Sequence, residues 1–451
     1  MSVRFSRTNL RDGFGRAELL DLLEVGFEAI DPETLVRNAI RLDGAGLIAA
    51  GQPTRLDGAR VWVLAIGKAA VSMGRAAEEQ LGSTLAGGVC VAPIGYGGTL
   101  RRIEVHEAGH PIPDARGRAA SEAVLQLAKA VMEDDVVLCL VSGGGSALLA
   151  APASALTVDD LASTTALLLR SGASIDEVNV VRRHLSDLQG GGLARLLRGV
   201  RVRTLLLSDV VGSRFESIAS GPTVPDPTTF ADAIEVARAH RLWGRLPPGV
   251  RTHLERGACG EIPETAKPGD DVFARHTAEI LGDNATFLDV VQTAAVKRGL
   301  DVLRIENPIT GEARVAGTEL GHRAVELAST VTRRTLLLGG GETTVTVRGP
   351  GTGGRSQEEA VAAAIEVAER SRITCAFLAT DGADGPTTAA GAIVDRQTAP
   401  LAIERGYDPH DALAANDAYP LLEATGDLLQ TGPTRTNVAD VFASLIEPSR
   451  R

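Results

Sequence analysis

The chain has 451 residues, of which 44% are hydrophobic and 23% charged, the balance of a soluble globular protein. This length exceeds what one hydrophobic core usually organises, so we expect two or three domains. A net charge of −11 argues against nucleic acid and against an anionic membrane as partners. Because no secretory signal peptide and no long apolar span is present, the sequence predicts a cytoplasmic protein.

The four cysteines are widely spaced, and two of them lie inside apolar runs. This pattern predicts reduced cysteines in a protein core and not a disulfide framework. The sequence contains no CxxC motif. We therefore do not expect a dedicated zinc site.

Helices are predicted for most of residues 17–51, where apolar residues recur at helical spacing. Further on, short apolar runs that alternate with helices predict buried strands at Val61–Ile66, Gly88–Pro93, Ile103–His106, Val136–Val141 and Thr204–Leu207. Strands and helices that alternate at this spacing predict a parallel sheet. Such a sheet binds ligands at the carboxyl ends of its strands.

Between Pro247 and Pro268 polarity and proline content rise and hydrophobic periodicity is weak, so we place a domain boundary there. The predicted domains are residues 1–260, a Rossmann-like α/β domain, and residues 261–451, a second α/β domain. The predicted fold class is α/β, with two domains and mostly parallel sheets.

The stretch from Leu336 to Glu366 has the strongest functional pattern in the sequence. An apolar run stops at Gly339–Gly341, an alternating segment, Thr343–Val347, predicts a second strand, and a further glycine cluster precedes Arg355. Glycines and the N–H groups of a helix start are suited to a bound phosphate, and Arg355 would add a cationic fork. A flexible hairpin turn followed by a capped helix explains the same pattern, so both interpretations stay open.

Polar side chains follow several predicted strands. Lys68, the segment Ser142–Ser146, Asp209, and Asp381 with Asp384 all stand at strand ends, which parallel sheets bring to one edge. A lysine after a glycine turn can bind phosphate, although a solvated lysine at a helix start is an alternative. The aspartates can bind Mg²⁺ or act as a base, or they can cap helices and turns.

Other motifs are less specific. His110, in the GHPIPD loop, can contact a carboxylate or phosphate, or can be a loop histidine bonded to backbone. The Walker pattern fails at Gly67-Lys68, because Trp62 stands at the first glycine position. The dinucleotide pattern GxGxxG is met formally by Gly349, Gly351 and Gly354. A GxGxxG pattern should follow a buried, continuously apolar strand, whereas the residues before these glycines alternate between polar and apolar.

From the residues alone, the sequence predicts a two-domain α/β enzyme that acts on a phosphate-bearing ligand. Glycine-rich loops together with lysine, arginine and carboxylates suit phosphoryl transfer, in which cations and Mg²⁺ neutralise charge.

The chain also resembles the glycerate 2-kinase family, the class II glycerate kinases with a C-terminal MOFRL domain. The resemblance runs from about Ala17 to Ile446. It depends on stretches in the family's order: AIGKAAVSMG, GHPIPDARG, LVSGGGSALL, LLLSDVVGS with IASGPTVPDPTT, GGGETTVTVRGPGTGGRSQE, ATDGADGPTTAAGAIVD and TGPTRTNVADV. It implies phosphorylation of glycerate on its 2-hydroxyl by ATP with a divalent cation, in a cleft between the two α/β domains.

The predicted site combines the residues and the resemblance. We assign catalysis to Lys68, Arg355, Asp209 and Asp381, and Mg²⁺ binding to the two aspartates. The predicted substrate-binding and phosphate-binding residues are His110, Ser142, Gly143, Gly144, Gly145, Ser146, Gly340, Glu342 and Asn437. The expected partners are glycerate and a nucleotide, and a homo-oligomer is left open.

Three positions depart from the family pattern. Residues 212–216 read GSRFE where the family commonly has GDDP, Ser356 replaces an expected asparagine, and Arg435 interrupts TGPTGTN. A larger or differently charged hydroxy acid is therefore an alternative substrate. Two other functions stay open, an NAD(P)H-dependent hydroxypyruvate reductase and a non-catalytic sensor of a sugar acid or nucleotide.

Overall fold

The computed structural model describes residues 3–44, 46–210, 212–368 and 372–448. Its α-helices are α1 Arg16–Ala29, α2 Pro32–Ala39, α3 Ala70–Leu81, α4 Ala115–Ala130, α5 Gly145–Leu148, α6 Val158–Arg170, α7 Ile175–His184, α8 Gly192–Leu196, α9 Phe230–Ala239, α10 Pro248–Ala258, α11 Asn284–Lys297, α12 Ala313–Thr330, α13 Arg355–Val367, α14 Thr398–Glu404, α15 Pro409–Ala415 and α16 Ala418–Thr425. Short 3₁₀ turns lie at Gly82–Thr84, Ile218–Ser220, Trp243–Arg245 and Asp271–Phe273. Over the described ranges no helix combines the length and apolarity needed to cross a membrane.

The strands form three sheets. They are β1 Ile40–Asp43, β2 Gly46–Ala49, β3 Gln52–Arg55, β4 Val61–Ile66, β5 Leu85–Pro93, β6 Ile103–Ala108, β7 Val136–Ser142, β8 Arg201–Leu207, β9 His276–Gly282, β10 Asp301–Arg304, β11 Thr335–Gly341, β12 Ile373–Ala379, β13 Gly391–Asp395, β14 Leu428–Leu429 and β15 Asp440–Ile446. One sheet has the order β1-β2-β3, one β6-β5-β4-β7-β8-β9, and one β10-β11-β15-β12-β13-β14.

The chain divides into two compact units. Unit A comprises Pro32–Leu281, and unit B comprises Met1–Asp31 with Gly282–Arg451. The predicted boundary after residue 260 differs from this division for two reasons. β9 belongs to the sheet of unit A, and α1 packs in unit B, where the rings of Phe27 and Phe287 meet edge to face at 5.4 Å.

The large sheet of unit A follows the predicted pattern closely. β4 pairs in parallel with β5 and β7, β5 with β6, and β7 with β8. Every residue of β7 is buried, which agrees with its unbroken apolar run. This sheet therefore confirms the α/β class and a parallel arrangement for the first half of the chain.

One local prediction in unit A is wrong. Residues 40–43, 46–49 and 52–55 form the antiparallel strands β1, β2 and β3, whereas the sequence analysis extended helix to about residue 51. The helix α2 ends at Ala39, and the residues after it pair from Ile40 opposite Ala49. A turn at Ala50 and Gly51, both with positive φ, then reverses the chain into β3.

The sheet of unit B differs from the predicted mostly parallel arrangement. β10 and β11 are parallel, but β15 lies between β11 and β12 and is antiparallel to both, and β12, β13 and β14 are antiparallel in turn. The strand β15 was not predicted. Its seven residues are all buried, so it is the centre of this sheet.

The predicted strand at Thr343–Val347 is also absent. Thr344 makes an isolated bridge to Glu312, and Thr346 donates its backbone N–H and its hydroxyl to the Glu312 carboxylate. Val347 is 75% exposed, so this segment has no apolar face to bury. Polar contacts with the start of α12 replace strand pairing here.

Three of the four cysteines lie in the cores, as predicted. Cys90, Cys139 and Cys375 are buried free thiols, and burial raises the pKa of each to about 12. They are therefore unreactive packing residues. Cys259 is also free but exposed, so the prediction of a core position is wrong for this cysteine.

Buried ion pairs attach the N-terminal segment to the rest of unit B. Arg16 is 4% exposed, and its Nε lies 2.7 Å from Asp395 and its Nη2 2.8 Å from Asp427. Arg11 reaches the same two carboxylates at 2.9 and 3.2 Å. Two buried carboxylates are thus neutralised by two arginines from residues 11–16.

We expect Arg16→Met to lower the free energy of unfolding by about 3 kcal/mol, because it leaves buried carboxylates with one cation between them. Urea unfolding of the full chain measures this as a lower transition midpoint. Arg333→Met is the matched control, since the Arg333–Asp301 pair is about half exposed on both sides. Its effect should stay below about 1 kcal/mol. Equal effects of the two substitutions would contradict this account.

Candidate active-site residues

In unit A, three neighbouring parallel strands end side by side. Ile66 of β4 is in register with Val141 of β7, and Ser142 of β7 with Leu207 of β8. The polar residues predicted to follow these strands are therefore gathered at one edge of the sheet, as parallel geometry requires.

The turn that carries Lys68 is fixed by the end of β7. Gly67 has φ of +116°, and a Cβ there would overlap Ser142. The backbone N–H of Lys68 donates to the carbonyl of Gly143 at 3.0 Å, and that of Ala69 donates to Ser142 Oγ at 3.0 Å. The half-buried Lys68 is thus held in place through its backbone.

The SGGGS loop, Ser142–Ser146, is close to the other predicted residues of this unit. A Cβ on Gly143 would overlap the carboxylate of Asp209. A Cβ on Gly144 would lie 3.3 Å from Nε2 of His110 and 3.5 Å from Cγ of Lys68. The structure therefore brings Lys68, His110 and Asp209 to one glycine-rich loop.

The far end of this loop packs on the 3₁₀ turn Ile218–Ser220. A Cβ on Gly145 would lie 2.6 Å from Cβ of Ala219, and the hydroxyl oxygens of Ser220 and Ser146 lie 2.8 Å apart, at hydrogen-bond distance. Ala219 and Ser220 are buried and have positive φ, an unfavourable conformation for residues other than glycine. Such conformations persist where the surroundings fix them, often beside functional sites.

The HEAGH sequence at 106–110 matches HExxH, a zinc pattern that the sequence analysis overlooked when it argued against a zinc site. On a helix this spacing would put both imidazoles on one face. Here His106 lies on β6, 3.0 Å from the carboxylate of Glu104, and His110 follows in a loop. The helical geometry is therefore missing, and across the described ranges no group of three potential ligands stands ready for a metal.

In unit B, the glycines at the end of β11 are required by packing. A Cβ on Gly340 would overlap the side chain of Asn284. The Nδ2 of Asn284 donates to the carbonyls of Val438 and Asp440, both at 2.9 Å. Close packing against Asn284 therefore explains why residue 340 is a glycine. The assignment of Gly340 to phosphate binding stays a prediction.

Arg355, the first residue of α13, forms a bidentate ion pair with Asp440. Its Nη2 donates to Asp440 Oδ1 at 2.8 Å and its Nε donates to Oδ2, while Glu342 lies 3.3 Å from Nη2. The Arg355 side chain is 30% exposed. Asp440 was missed by the sequence analysis because nothing marked its strand, β15, as the neighbour of β11.

The start of α13 is capped from within the protein. Asp384 accepts hydrogen bonds from the backbone N–H of Ser356 at 3.2 Å and of Gln357 at 2.8 Å. Gly354 is packed so closely that a Cβ would overlap Asp384. The capped-helix interpretation is thus correct for these two amides, which bind an internal carboxylate.

Buried carboxylates are concentrated around this helix start. Burial raises the pKa of Asp384 to about 7 and that of Asp440 to about 6, and raises the pKa of Glu359 well above its usual range. The charge of Asp440 adds to the effect on Asp384 and Glu359, and Arg355 opposes it. One guanidinium therefore faces several carboxyl groups.

A pH dependence follows from Asp384. Its folded pKa of about 7 lies above its ordinary 3.8, so folding favours the protonated form. The stabilisation is complete below about pH 4 and is lost as the pH rises to about 7. We expect the wild type to lose thermal stability relative to Asp384→Asn between pH 5 and pH 8. If the melting temperature of wild type minus that of Asp384→Asn stays constant or increases as the pH rises, this assignment is contradicted.

The remaining predicted residues of unit B lie after β12 and before β15. Asp381 Oδ1 accepts from the N–H of Ala383 at 3.1 Å, which is an Asx-turn. Asn437 Oδ1 accepts from the N–H of Ala439 at 3.2 Å. The charge of Asp381 also raises the pKa of Asp440.

The glycines of the formal GxGxxG pattern serve packing. A Cβ on Gly349 would overlap Ala415, and one on Gly351 would lie 2.5 Å from Cβ of Asp417. These glycines lie in the loop between β11 and α13, and no strand leads directly into them. The strand–turn–helix context of a dinucleotide site is therefore absent.

Known proteins match the chain over nearly its whole length. Residues 18–255 match the family described as a domain of unknown function, DUF4147, and residues 335–440 match the MOFRL family. The glycerate 2-kinase of Pyrococcus horikoshii is 39% identical over 442 residues, covering 96% of this chain and 99% of that protein. The D-glycerate 2-kinase of Thermotoga maritima is 36% identical over 433 residues, covering 95% and 97%.

A solved structure agrees with these relatives. The crystal structure of a glycerate kinase from Thermotoga maritima matches with a TM-score of 0.80 at 35% identity, covering 94% of this chain and 98% of that one. Both the predicted α/β fold class and the resemblance noted in the sequence are thereby confirmed. The chain belongs to the glycerate 2-kinase family, with its DUF4147 region followed by a MOFRL region.

Proposed function

We propose that this protein transfers a phosphoryl group from ATP to the 2-hydroxyl of D-glycerate and releases 2-phosphoglycerate. The observation that carries the proposal is the arrangement of Lys68, His110 and Asp209 around the SGGGS loop of unit A. Cationic side chains and the backbone N–H groups of glycines can bind an anionic substrate and stabilise the phosphoryl group during its transfer. Full-length relatives named as glycerate kinases support the same reaction.

The cations have the central role in this proposal. We assign Lys68 and Arg355 to neutralising charge on the phosphoryl group as it moves. The Nε–Nη2 edge of Arg355 is occupied by Asp440, so Nη1 is the part of the guanidinium assigned to a ligand. The SGGGS loop binds an anionic group through its backbone.

The aspartates are proposed to hold Mg²⁺ with the nucleotide. Mg²⁺ is usually bound in phosphotransferases by one or two carboxylates together with substrate phosphates, so a cluster of three protein ligands is not required. Asp209, against Gly143, and Asp381, in its Asx-turn, offer the hard oxygen donors that Mg²⁺ prefers. When bound, the ion would neutralise phosphate charge. Asp209 or Asp381 also orients the substrate hydroxyl.

One coupled assay tests the proposal against its two rivals. Purified protein is mixed with ATP, Mg²⁺ and D-glycerate, and ADP release is recorded; a parallel sample contains NAD(P)H and hydroxypyruvate. We expect ADP release that depends on D-glycerate. Oxidation of NAD(P)H by hydroxypyruvate would instead identify a reductase. No turnover with either, together with thermal stabilisation by glycerate or nucleotide, would identify a sensor.

A further inference from the structure

The helix α7 carries two consecutive arginines with different surroundings. Arg183 is 4% exposed, lies 3.4 Å from the carboxylate of Asp226 and donates to the carbonyl of Glu216 at 3.1 Å. Arg182 instead donates to the carbonyl of Pro111 at 3.4 Å. Across the described ranges Arg182 has no carboxylate at ion-pair distance, and its Nε is buried without a hydrogen-bond partner.

A cation in this position is costly for a protein without a ligand. Burial lowers the pKa of Arg182 to about 10, and no acidic side chain counteracts this effect. Partly buried charges are normally paired, because desolvation is otherwise uncompensated. An arginine that lacks such a partner can obtain one from an anionic ligand, which its planar fork can bind through two hydrogen bonds.

The surroundings of Arg182 place it beside the candidate site of unit A. Its partner Pro111 follows His110, whose imidazole lies against Gly144 and close to Lys68. One helical turn earlier, Asn179 Oδ1 accepts from Ser220 Oγ at 3.1 Å, and Ser220 Oγ also lies 2.8 Å from Ser146 Oγ of the SGGGS loop. Residues three apart share a helix face, so the face of α7 that carries Asn179 and Arg182 is directed to the loops of this site.

We propose that Arg182 binds the carboxylate of the hydroxy-acid substrate. This inference rests on the proposed function and adds a specificity residue to it. The hydroxy acid has one permanent anionic group at the end opposite to its primary hydroxyl. Arg182 recognises that group, while Lys68 acts on the phosphoryl group. Arg182 also lies in the last turn of α7, where the helix dipole stabilises a positive charge. If Arg182 has only this structural role, its replacement should not change which substrate the enzyme prefers.

Substrate discrimination separates the two roles. We compare D-glycerate with D-glyceramide, which has a neutral carboxamide in place of the carboxylate, using wild type and Arg182→Gln. The variant should raise KM for D-glycerate about 10- to 100-fold, the usual loss for a hydrogen bond to a charged group. It should leave KM for ATP unchanged. It should also lower the preference for glycerate over glyceramide by a similar factor.

Arg170→Gln is the matched control, because Arg170 is an exposed arginine in the last turn of the neighbouring helix α6. It should keep wild-type constants. An Arg182→Gln enzyme with unchanged glycerate preference would overturn the inference, and so would a rise confined to KM for ATP. If this variant fails to fold, Arg182→Lys replaces it; we expect about a 3- to 10-fold rise in KM for glycerate, because lysine lacks the planar fork. A wild-type KM in that variant would also overturn the inference.

Failure of the proposed function can be recognised separately. If wild type releases no ADP with D-glycerate, that function is wrong, and calorimetric titration with D-glycerate still tests Arg182. Binding by wild type that Arg182→Gln weakens at least tenfold would support a carboxylate site. Equal binding by both proteins, or none by wild type, would overturn it.

Discussion

Lys68→Ala is expected to lower kcat for glycerate phosphorylation about 10²- to 10³-fold, the usual loss when one preorganised charge-stabilising group is removed. The fold should persist, because the contacts that hold this turn are made by the backbone of Lys68 and Ala69. Steady-state kinetics with D-glycerate and ATP measure the effect, and circular dichroism checks the fold.

Lys129→Ala is the matched control for this substitution. Lys129 is exposed in the last turn of α4, so its removal takes away an equal charge outside the candidate site. We expect it to retain wild-type kcat. A Lys68→Ala enzyme with kcat within about twofold of wild type would remove Lys68 from the proposed mechanism.

Asp440→Ala is expected to affect both stability and activity. It removes the bidentate contact that orients the guanidinium and leaves Arg355 with the ion pair to Glu342 at 3.3 Å. Breaking a buried pair costs about 3–5 kcal/mol, and the partial exposure of Arg355 favours the lower end. We also expect kcat to fall at least about tenfold, because a misplaced charge stabilises the transition state less well. Urea unfolding and steady-state kinetics measure the two effects.

Two further variants make this result interpretable. Asp440→Glu keeps the charge and should recover part of kcat if orientation of Arg355 is the role of Asp440. Asp301→Ala breaks the exposed Arg333–Asp301 pair in the same unit and should cost less than about 1 kcal/mol. Wild-type kcat in Asp440→Ala would show that the ion pair is structural only.

The sequence was most informative where the fold depends on local pattern. Apolar runs that stop at glycine and are followed by helix predicted β4 and β7, and parallel geometry then implied that Lys68 and the SGGGS loop meet. Lys68 and the SGGGS loop lie close together because they follow adjacent parallel strands. Their proximity could therefore be predicted without knowing which distant segments pair.

Long-range pairing explains most of what was missed. β15 lies between β11 and β12 only through contacts distant in sequence, so neither the antiparallel sheet of unit B nor the Arg355–Asp440 pair could be foreseen. The placement of α1 with Phe287 has the same cause. Arg182 and Arg183 have equal local propensities, and only the packing of α7 gives Arg183 a carboxylate partner and leaves Arg182 with the carbonyl of Pro111.

The most direct test of the central claim is the identity of the phosphorylated product. After incubation with ATP, Mg²⁺ and D-glycerate, phosphorus NMR coupled to proton detection shows which carbon carries the phosphoryl group. Our account predicts 2-phosphoglycerate, with the phosphorus coupled to the single proton on C2. A product phosphorylated only on C3, or unchanged glycerate beside an intact fold, would contradict it.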